Sequence, residues 1–536
     1  MFNQASQDNT TKPWEQSRLW GHPKGLYILF LTEMWERFSY YGMRGLFVLY
    51  LVANVDSGGF GWTEVQALTL YGTYTMLVYI MSIPGGILAD KFVGQKKAVV
   101  IGGFLLVAGH GIMALPGETM FYIAISLIVL GVGALKANIS TMVGGLYKPG
   151  DERRDKGFTI FYMGINTGAA LAALIVGYVG QTYGWHYGFG LAGIGMLIGQ
   201  IIFLSGQKYL VGVGDFVKEE KVLDTGVKND IAKNHFNNIF KQPNVSIVVL
   251  AFIGLAVYAG LEGSLLYCLM ALVAAPIVGI GVSIYTNELN YIEKDRVMVM
   301  LIAFLMVIAF WGAFEQAGGL MNLYTQQKAD KDVFGLFTLK ASQFQFFNPG
   351  FIILFGLPVA GFWVWMRKKG KETSAIFKMS IGNIIMGFGF ILMLGATAES
   401  KDGGLASMWW IVGAYMLHTI GELCSSPVAL SYVTKLAPVK YGSIMMGLYF
   451  AMTGLGNKLA GELGVLAQNL GEMEIFAGIG IFSIAFGLLL ILLLGKLKKL
   501  SHGAEDVDDE EAVQGRNVEG KTIVDEGYSR IDRTQN

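Results

Sequence analysis

An apolar segment near the N-terminus, long enough to cross a membrane, contains four charged residues: Glu33, Glu36, Arg37 and Arg44. Side chains three and four positions apart are neighbours on a helix, so these groups form one stripe with Tyr40 and Tyr41. A charged side chain at mid-bilayer costs about 2.5–3.5 kcal/mol and therefore normally faces a protein interior or a water-filled cavity. The segment predicts a polar stripe that lines a solute path. The alternative is an ion pair that only joins two helices.

Two further apolar segments place polar groups at membrane depth. Lys136 lies about a dozen residues from either end of its segment, too deep for its ammonium to reach the membrane surface easily. It needs an acidic partner, and Glu33 or Glu36 could serve. Tyr162 and Asn166 stand one helical turn apart, and a phenol with an amide matches the donor and acceptor of a peptide group. Hydrogen bonding between helices is the alternative for this pair.

The second part of the chain has its own candidate site residues in apolar segments, namely Trp311, Glu315, Asn348, Glu422, Ser426 and the helix-kinking Pro427. Pro427 frees a backbone carbonyl and permits a kink one residue after Ser426. The first part thus supplies cations and the second part carboxylates. A zwitterion fits between them, with its carboxylate against the cations and its ammonium against Glu422. Asn348 or the Tyr162–Asn166 pair can meet a peptide bond, and Trp311 supplies an adaptable aromatic wall.

Composition places the chain among helical membrane proteins. Of its 536 residues 53% are hydrophobic and 15% are charged, and the mean hydropathy is +0.49. The net charge of zero gives no reason to expect a nucleic-acid partner. Cys268 and Cys424 lie in apolar runs without the spacing of metal ligands, so we expect inert core residues and no metal site. The first 24 residues are polar and predict no cleavable signal peptide.

Fourteen apolar runs predict an all-α membrane protein with fourteen spans. They cover residues 26–54, 64–90, 97–116, 119–145, 158–181, 186–207, 245–262, 264–286, 297–321, 348–367, 375–396, 406–434, 442–468 and 474–497. The two runs after the polar stretch 208–244 look accessory, which leaves two six-helix bundles. We therefore divide the chain into a cytoplasmic tail (1–24), a six-helix bundle (25–207), a linker with two accessory helices (208–296), a second bundle (297–497) and a disordered cytoplasmic tail (498–536).

The short loops indicate orientation and one gate. Four alternate loops carry thirteen Lys or Arg, whereas the others carry only Lys401, so the positive-inside rule predicts two cytoplasmic termini. Asp90 and Lys91 lie in a glycine-containing loop, residues 86–97, at a cytoplasmic helix junction, where Asp90 could cap a helix or pair across the two halves. This loop resembles the signature of the major facilitator superfamily, with one extra residue between Lys91 and Gly94.

Three motifs together resemble the proton-dependent oligopeptide transporter family, prokaryotic type, from the first span to the last. They are Glu33-x-x-Glu36-Arg37-Phe38-x-Tyr40-Tyr41, Phe161-Tyr162-x-x-Ile165-Asn166-x-Gly168 and Gly421-Glu422-Leu423-x-x-Ser426-Pro427. The resemblance implies a major facilitator fold and a symporter that imports di- and tripeptides with protons across a bacterial inner membrane. It implies alternating access, with no cofactor, nucleic acid or obligate protein partner.

The expected roles follow from the residues and the resemblance together. The expected proton-coupling residues are Glu33, Glu36, Arg37, Lys136 and Glu315. The expected substrate-binding residues are Arg44, Tyr40, Tyr41, Tyr79, Tyr162, Asn166, Trp311, Asn348, Glu422, Ser426 and Tyr449, and the gate or structural residues are Asp90, Lys91 and Pro427. Tyr449 replaces a tryptophan of many relatives, and the second span lacks the histidine of animal relatives. His418 is interpreted as a packed residue and not as a proton carrier.

Other functions are less consistent with the pattern. Transport of nitrate is disfavoured because Glu422 would repel an anion. An intramembrane enzyme is disfavoured because the chain has no Ser-His-Asp arrangement and no His-Glu-x-x-His motif. A channel remains an alternative that saturable uptake would exclude.

Overall fold

The computed structural model describes residues 18–148, 151, 153–216, 243–261, 278–279, 281–438 and 441–504. The first half of this part contains six long helices: α1 (Lys24–Val52), α2 (Glu64–Val93), α3 (Gln95–Met113), α4 (Glu118–Gly145), α5 (Arg153–Tyr183) and α6 (Trp185–Ser205). Helix α2 has a break at Met81 and ends in a π-helical turn, Ala89–Val93. A second π-helical turn, Ala172–Val176, interrupts α5.

Helix α7 (Pro243–Leu261) follows, and the second half begins with α8 (Tyr291–Phe314), a 3-10 turn (Glu315–Ala317) and the short helix α9 (Leu320–Lys328). After a 3-10 segment, Ala341–Phe346, come α10 (Phe347–Lys368), α11 (Ala375–Glu399), α12 (Met408–Leu436), α13 (Gly442–Leu470) and α14 (Glu472–Leu500). Within the described residues, nine helices are long and apolar enough to cross a membrane by length and composition.

Six two-residue strands lie in the connections. Strand β1 (Arg18–Leu19) pairs with β2 (His22–Pro23) and β4 (Asp332–Val333) with β5 (Phe337–Thr338), both antiparallel. Strand β3 (Ala329–Asp330) pairs in parallel with β6 (Ala406–Ser407).

The all-α prediction is confirmed, and most helix bounds agree with the predicted spans to within a few residues. The second accessory span, predicted over 264–286, lies mostly outside the described residues, although 281–287 are helical. The two predicted tails are ordered where they adjoin the helical bundles. Residues 18–23 form the β1–β2 hairpin, and His22 Nδ1 lies 2.8 Å from the Tyr147 hydroxyl. At the other end α14 continues to Leu500, and Arg296 donates to the carbonyls of Ser501 and His502.

Glycines let the helices within each half approach closely. A Cβ at Gly85 of α2 would lie 2.0 Å from the Gly133 carbonyl oxygen of α4. A Cβ at Gly421 of α12 would lie 2.7 Å from the Gly382 carbonyl oxygen of α11. Such small-residue contacts are the usual way in which helices associate in lipid, where apolar burial gives little driving force.

The two halves meet across a seam between α2 and α13. A Cβ at Gly461 would lie 2.8 Å from the Gly72 Cα, so the two backbones touch. Nearby, Lys458 Nζ donates to Thr73 Oγ1 at 3.1 Å and pairs with Glu462 at 2.7 Å. This pair was not predicted, and it places a further ion pair at membrane depth.

Polar contacts between the halves cluster at the end of the bundle opposite residues 18 and 504. Gln327 donates to Glu64 at 2.8 Å, Ser342 to Gln181 at 2.6 Å and Asn322 to the Gly45 carbonyl at 3.0 Å. The halves are therefore joined at this end, which we call the closed face.

Candidate functional site

A cavity of about 420 Å³ lies between the two halves. Its lining combines helices α1, α2, α4 and α5 of the first half with α8, α10, α12 and α13 of the second. The lining includes most of the predicted site residues: Glu33, Arg37, Tyr40, Tyr41, Arg44, Tyr79, Lys136, Tyr162, Asn166, Trp311, Glu315, Asn348, Glu422, Ser426, Pro427 and Tyr449. The volume lies in the range of small-molecule sites.

One guanidinium faces two carboxylates on α1. Arg37 Nε lies 2.9 Å from Glu33 Oε1 and 2.5 Å from Glu36 Oε2, and all three side chains are buried. Arg37 Nε is not in hydrogen-bonding geometry with either group, so the contacts are ion pairs by distance. Glu33 belongs to the cavity lining, whereas Glu36 lies behind it. One cation thus balances only one of two acids.

Lys136 of α4 does not form the ion pair predicted from the sequence. Its Nζ lies 3.7 Å from the centre of the Tyr79 ring, a cation–π contact with α2. Among the described residues, no carboxylate oxygen lies within 4.0 Å of this nitrogen. Arg37 pairs with Glu33 and Glu36 in place of Lys136, because Arg37 and both glutamates lie on α1. Lys136 therefore lines the cavity with no carboxylate partner among the described residues.

Arg44 joins the two halves at the closed end of the cavity. Its Nε donates to Glu315 Oε1 at 2.9 Å and to the Tyr71 hydroxyl at 2.9 Å, and Tyr71 donates to the same oxygen at 2.5 Å. All three groups are buried. Removing one partner of a buried ion pair costs about 3–5 kcal/mol because the other charge is left unpaired, so closure requires both Arg44 and Glu315.

Glu422 of α12 lies on the wall of the second half. Its Oε2 accepts a hydrogen bond from Asn348 Nδ2 at 2.8 Å, and Asn348 also donates to Thr419 Oγ1 at 3.1 Å. No Lys or Arg nitrogen of the described residues lies within 4.0 Å of this carboxylate. Glu422 is therefore held in place by an amide but has no cationic partner.

The remaining predicted residues lie on either wall or outside the cavity. Asn166 Nδ2 donates to the Tyr162 carbonyl at 3.0 Å, so its amide oxygen stays available. Helix α12 continues across Pro427 to Leu436.

Asp90 and Lys91 lie outside the lining and are exposed, and Lys96 pairs with Asp215 at 2.7 Å. The sequence predicted that Asp90 could pair across the two halves, and no such pair is found among the described residues.

Sequence reasoning missed Tyr71, which bridges Arg44 and Glu315. A signal was present, because Tyr71 precedes the predicted Tyr79 by eight residues and so lies on the same face of α2.

His418 fits its interpretation as a packed residue, since it is buried against the Phe390 ring at 4.5 Å. In the described part of the chain no group of three His, Cys, Asp or Glu could hold a metal ion.

An all-helical chain whose two halves enclose a charged cavity at membrane depth has the architecture of a secondary transporter of the major facilitator type. The family model described as PTR2, POT family, matches residues 96–474. The chain belongs to the POT family, the proton-dependent oligopeptide transporters. The predicted family and fold are confirmed, and the chain is a multi-pass membrane transporter and not an enzyme.

Relatives and solved structures match nearly the whole chain. The chain is 36% identical to the peptide transporter YePEPT of Yersinia enterocolitica over 93% of its own length and 99% of the relative. It is 33% identical to a di-/tripeptide transporter of Lactococcus lactis over 90% of its length and 98% of the relative. A crystal structure of a peptide transporter POT in complex with sulfate has a TM-score of 0.77 at 36% identity and covers 90% of this chain and 97% of that one.

Proposed function

We propose that the chain is a proton-coupled symporter that imports di- and tripeptides across a bacterial inner membrane by alternating access. The observation that carries the proposal is a pair of oppositely charged walls. Lys136 has no carboxylate partner on one wall and Glu422 has no cationic partner on the other, among the described residues. The names of the relatives from Yersinia enterocolitica and Lactococcus lactis support peptides as the substrates.

The peptide lies between these two groups. Its C-terminal carboxylate binds Lys136, because Arg37 and Arg44 already have acidic partners. Its N-terminal ammonium binds Glu422, and Asn166 offers an oxygen to the peptide N–H. A cavity of about 420 Å³ bounds the length of the substrate, which agrees with short peptides and not with long ones.

Proton coupling follows from the charge of the cavity. The cavity lining holds three cations (Arg37, Arg44 and Lys136) and three carboxylates (Glu33, Glu315 and Glu422), and the Glu36 carboxylate behind it, paired with Arg37, brings the formal charge of the cluster to −1. A zwitterionic peptide leaves this charge unchanged, and one proton neutralises it. A net charge enclosed at membrane depth is costly, so its neutralisation is favourable when the cavity closes around the peptide. Glu33 is the proposed proton acceptor because it lines the cavity and shares Arg37 with Glu36.

Alternating access requires that the closed face open. The Arg44–Glu315 pair and the polar contacts near Gln181 and Gln327 hold that face together. When peptide and proton bind, the balance between two arrangements needs to shift by only a few kcal/mol. The positive-inside rule predicts cytoplasmic termini, and in that orientation the closed face is the outer one and the cavity faces the cell interior.

Uptake into liposomes tests this function. Purified protein should accumulate labelled L-alanyl-L-alanine when the outside is more acidic than the lumen, and a protonophore should abolish the accumulation. Unlabelled dipeptides and tripeptides should compete, whereas amino acids and nitrate should not. Failure of a broad peptide panel to compete would contradict the proposal, and non-saturable uptake would indicate a channel.

The Gly72–Gly461 contact gives a further prediction. In Gly461→Val the new Cβ would lie 2.8 Å from the Gly72 Cα, so the two helices would have to move apart. The closed face should then fail to close, and uptake should fall about tenfold or more. The control is Gly478→Val in α14, because a Cβ there meets no atom within 4 Å. Equal uptake by the two variants would show that this seam is not needed for transport.

A further inference from the structure

A second, much smaller hollow lies behind the wall of the main cavity in the second half. Its volume is about 10 Å³, close to the minimum for one water molecule or one hydroxyl group. Trp311, Ser426 and Tyr449 line both this hollow and the main cavity. These three side chains therefore form a shared wall between the two spaces.

Asn383 of α11 gives this hollow a polar group without a partner. Its side chain is 1% exposed, and its Nδ2 donates to the Met379 carbonyl at 3.0 Å. Only the amide NH₂ can donate to a carbonyl, so this bond fixes which atom is oxygen. Asn383 Oδ1 accepts no hydrogen bond from any described residue. An unpaired buried amide oxygen is unfavourable and is normally satisfied by a ligand or by water.

The other lining residues do not supply the missing donor. Ser425 Oγ already donates to the Met379 carbonyl at 3.3 Å. Met306 and Val307 contribute only apolar surface. The hollow thus combines a largely apolar wall and the side chains of Ser425, Ser426 and Tyr449 with one buried acceptor, Asn383 Oδ1, that no described residue satisfies.

We propose that this hollow is a specificity subsite for the side chain of the peptide's N-terminal residue, and that Asn383 selects short side chains ending in a hydrogen-bond donor, such as serine. The inference rests on the proposed function. Glu422 holds the N-terminal ammonium there, and Ser426, one turn along α12, lines the hollow. The first side chain is therefore the nearest to Asn383, and Trp311 and Tyr449 must separate slightly to admit it.

Competition against uptake of labelled Ala-Ala tests the subsite. For the unmodified protein, Ser-Ala should inhibit at a concentration about 3- to 10-fold lower than Ala-Ala, as expected for one buried hydrogen bond. Ala-Ser should match Ala-Ala within about twofold, since its hydroxyl lies on the second residue. Asn383→Leu should remove the advantage of Ser-Ala and leave inhibition by Ala-Ala nearly unchanged. Ser380→Ala is the matched control, because Ser380 is buried on the same helix and bonds only to Ile376.

A purely structural role for Asn383 predicts a different pattern, in which the variant binds all three peptides more weakly by the same factor. That result, or equal inhibition by Ser-Ala and Ala-Ala in the unmodified protein, would overturn the inference. Ala429→Val, which fills the hollow from α12, should also abolish the preference. Thermal stabilisation of the purified variants by each peptide gives the same comparison if either variant fails to transport. Absence of Ala-Ala uptake by the unmodified protein would instead contradict the proposed function.

Discussion

Replacement of Glu422 by glutamine is expected to reduce uptake of Ala-Ala by at least about 30-fold. The variant keeps the size of the side chain and its hydrogen bond with Asn348 but loses the only charge proposed to bind the peptide ammonium. Truncating one partner of a buried, hydrogen-bonded charge pair typically costs 2–5 kcal/mol, which corresponds to this factor or more. Initial rates of labelled uptake in liposomes, with protein content matched, measure it.

Two controls make this result specific. Glu118→Gln removes the same charge from an exposed position in the first turn of α4 and should transport normally. N-acetyl-Ala-Ala, which has no ammonium, should compete far more weakly than Ala-Ala for the unmodified protein but about equally for Glu422→Gln. If the variant still discriminated strongly between the two compounds, the ammonium would be recognised elsewhere.

Replacement of Glu33 by glutamine is expected to separate proton-driven uptake from exchange. The variant cannot take up the proton that neutralises the cavity, so accumulation under an acid-outside gradient should fall about tenfold or more. Counterflow, in which labelled peptide exchanges with unlabelled peptide without a gradient, should stay within about threefold of the unmodified rate. The reason is that Arg37 retains Glu36 at 2.5 Å and the fold of the wall is preserved.

Lys136→Ala provides the contrast for this experiment. It removes the group proposed to bind the peptide carboxylate, so it should diminish both counterflow and driven uptake. If Glu33→Gln abolished counterflow as completely as Lys136→Ala does, Glu33 would have a binding or structural role and not a coupling role.

The sequence predicted the helices well because a bilayer demands a fixed length of apolar chain. The predicted span 442–468 corresponds to α13 (Gly442–Leu470), and 375–396 to α11 (Ala375–Glu399). It predicted less well where helices break. The span predicted over 297–321 is in fact α8, a 3-10 turn at Glu315 and the separate helix α9, because hydropathy does not report local backbone geometry.

The cavity residues were predictable because a charge in an apolar segment is costly and rarely lacks a function. Their partners were not. Arg44 and Glu315 are 271 positions apart, and a single sequence carries no information on which distant side chains meet. For the same reason Lys136 was assigned to the glutamates of α1, whereas the structure places it over the Tyr79 ring.

The Lys458–Glu462 pair was also missed, although both residues lie inside a predicted span and are one turn apart. Their spacing predicts a local pair within α13 and does not indicate that Lys458 also donates a hydrogen bond to Thr73 in the other half. Contacts across the seam depend on the arrangement of the two bundles, which only the folded chain determines.

Movement of protons with the peptide is the most direct test of the account. Liposomes containing the protein and a luminal pH-sensitive dye, with equal pH on both sides and the membrane potential clamped, receive external Ala-Ala. Proton-coupled symport predicts that the lumen acidifies as the dipeptide enters, and that Glu33→Gln admits labelled dipeptide with little acidification. Entry of labelled dipeptide through the unmodified protein with no change in luminal pH would contradict proton-coupled symport.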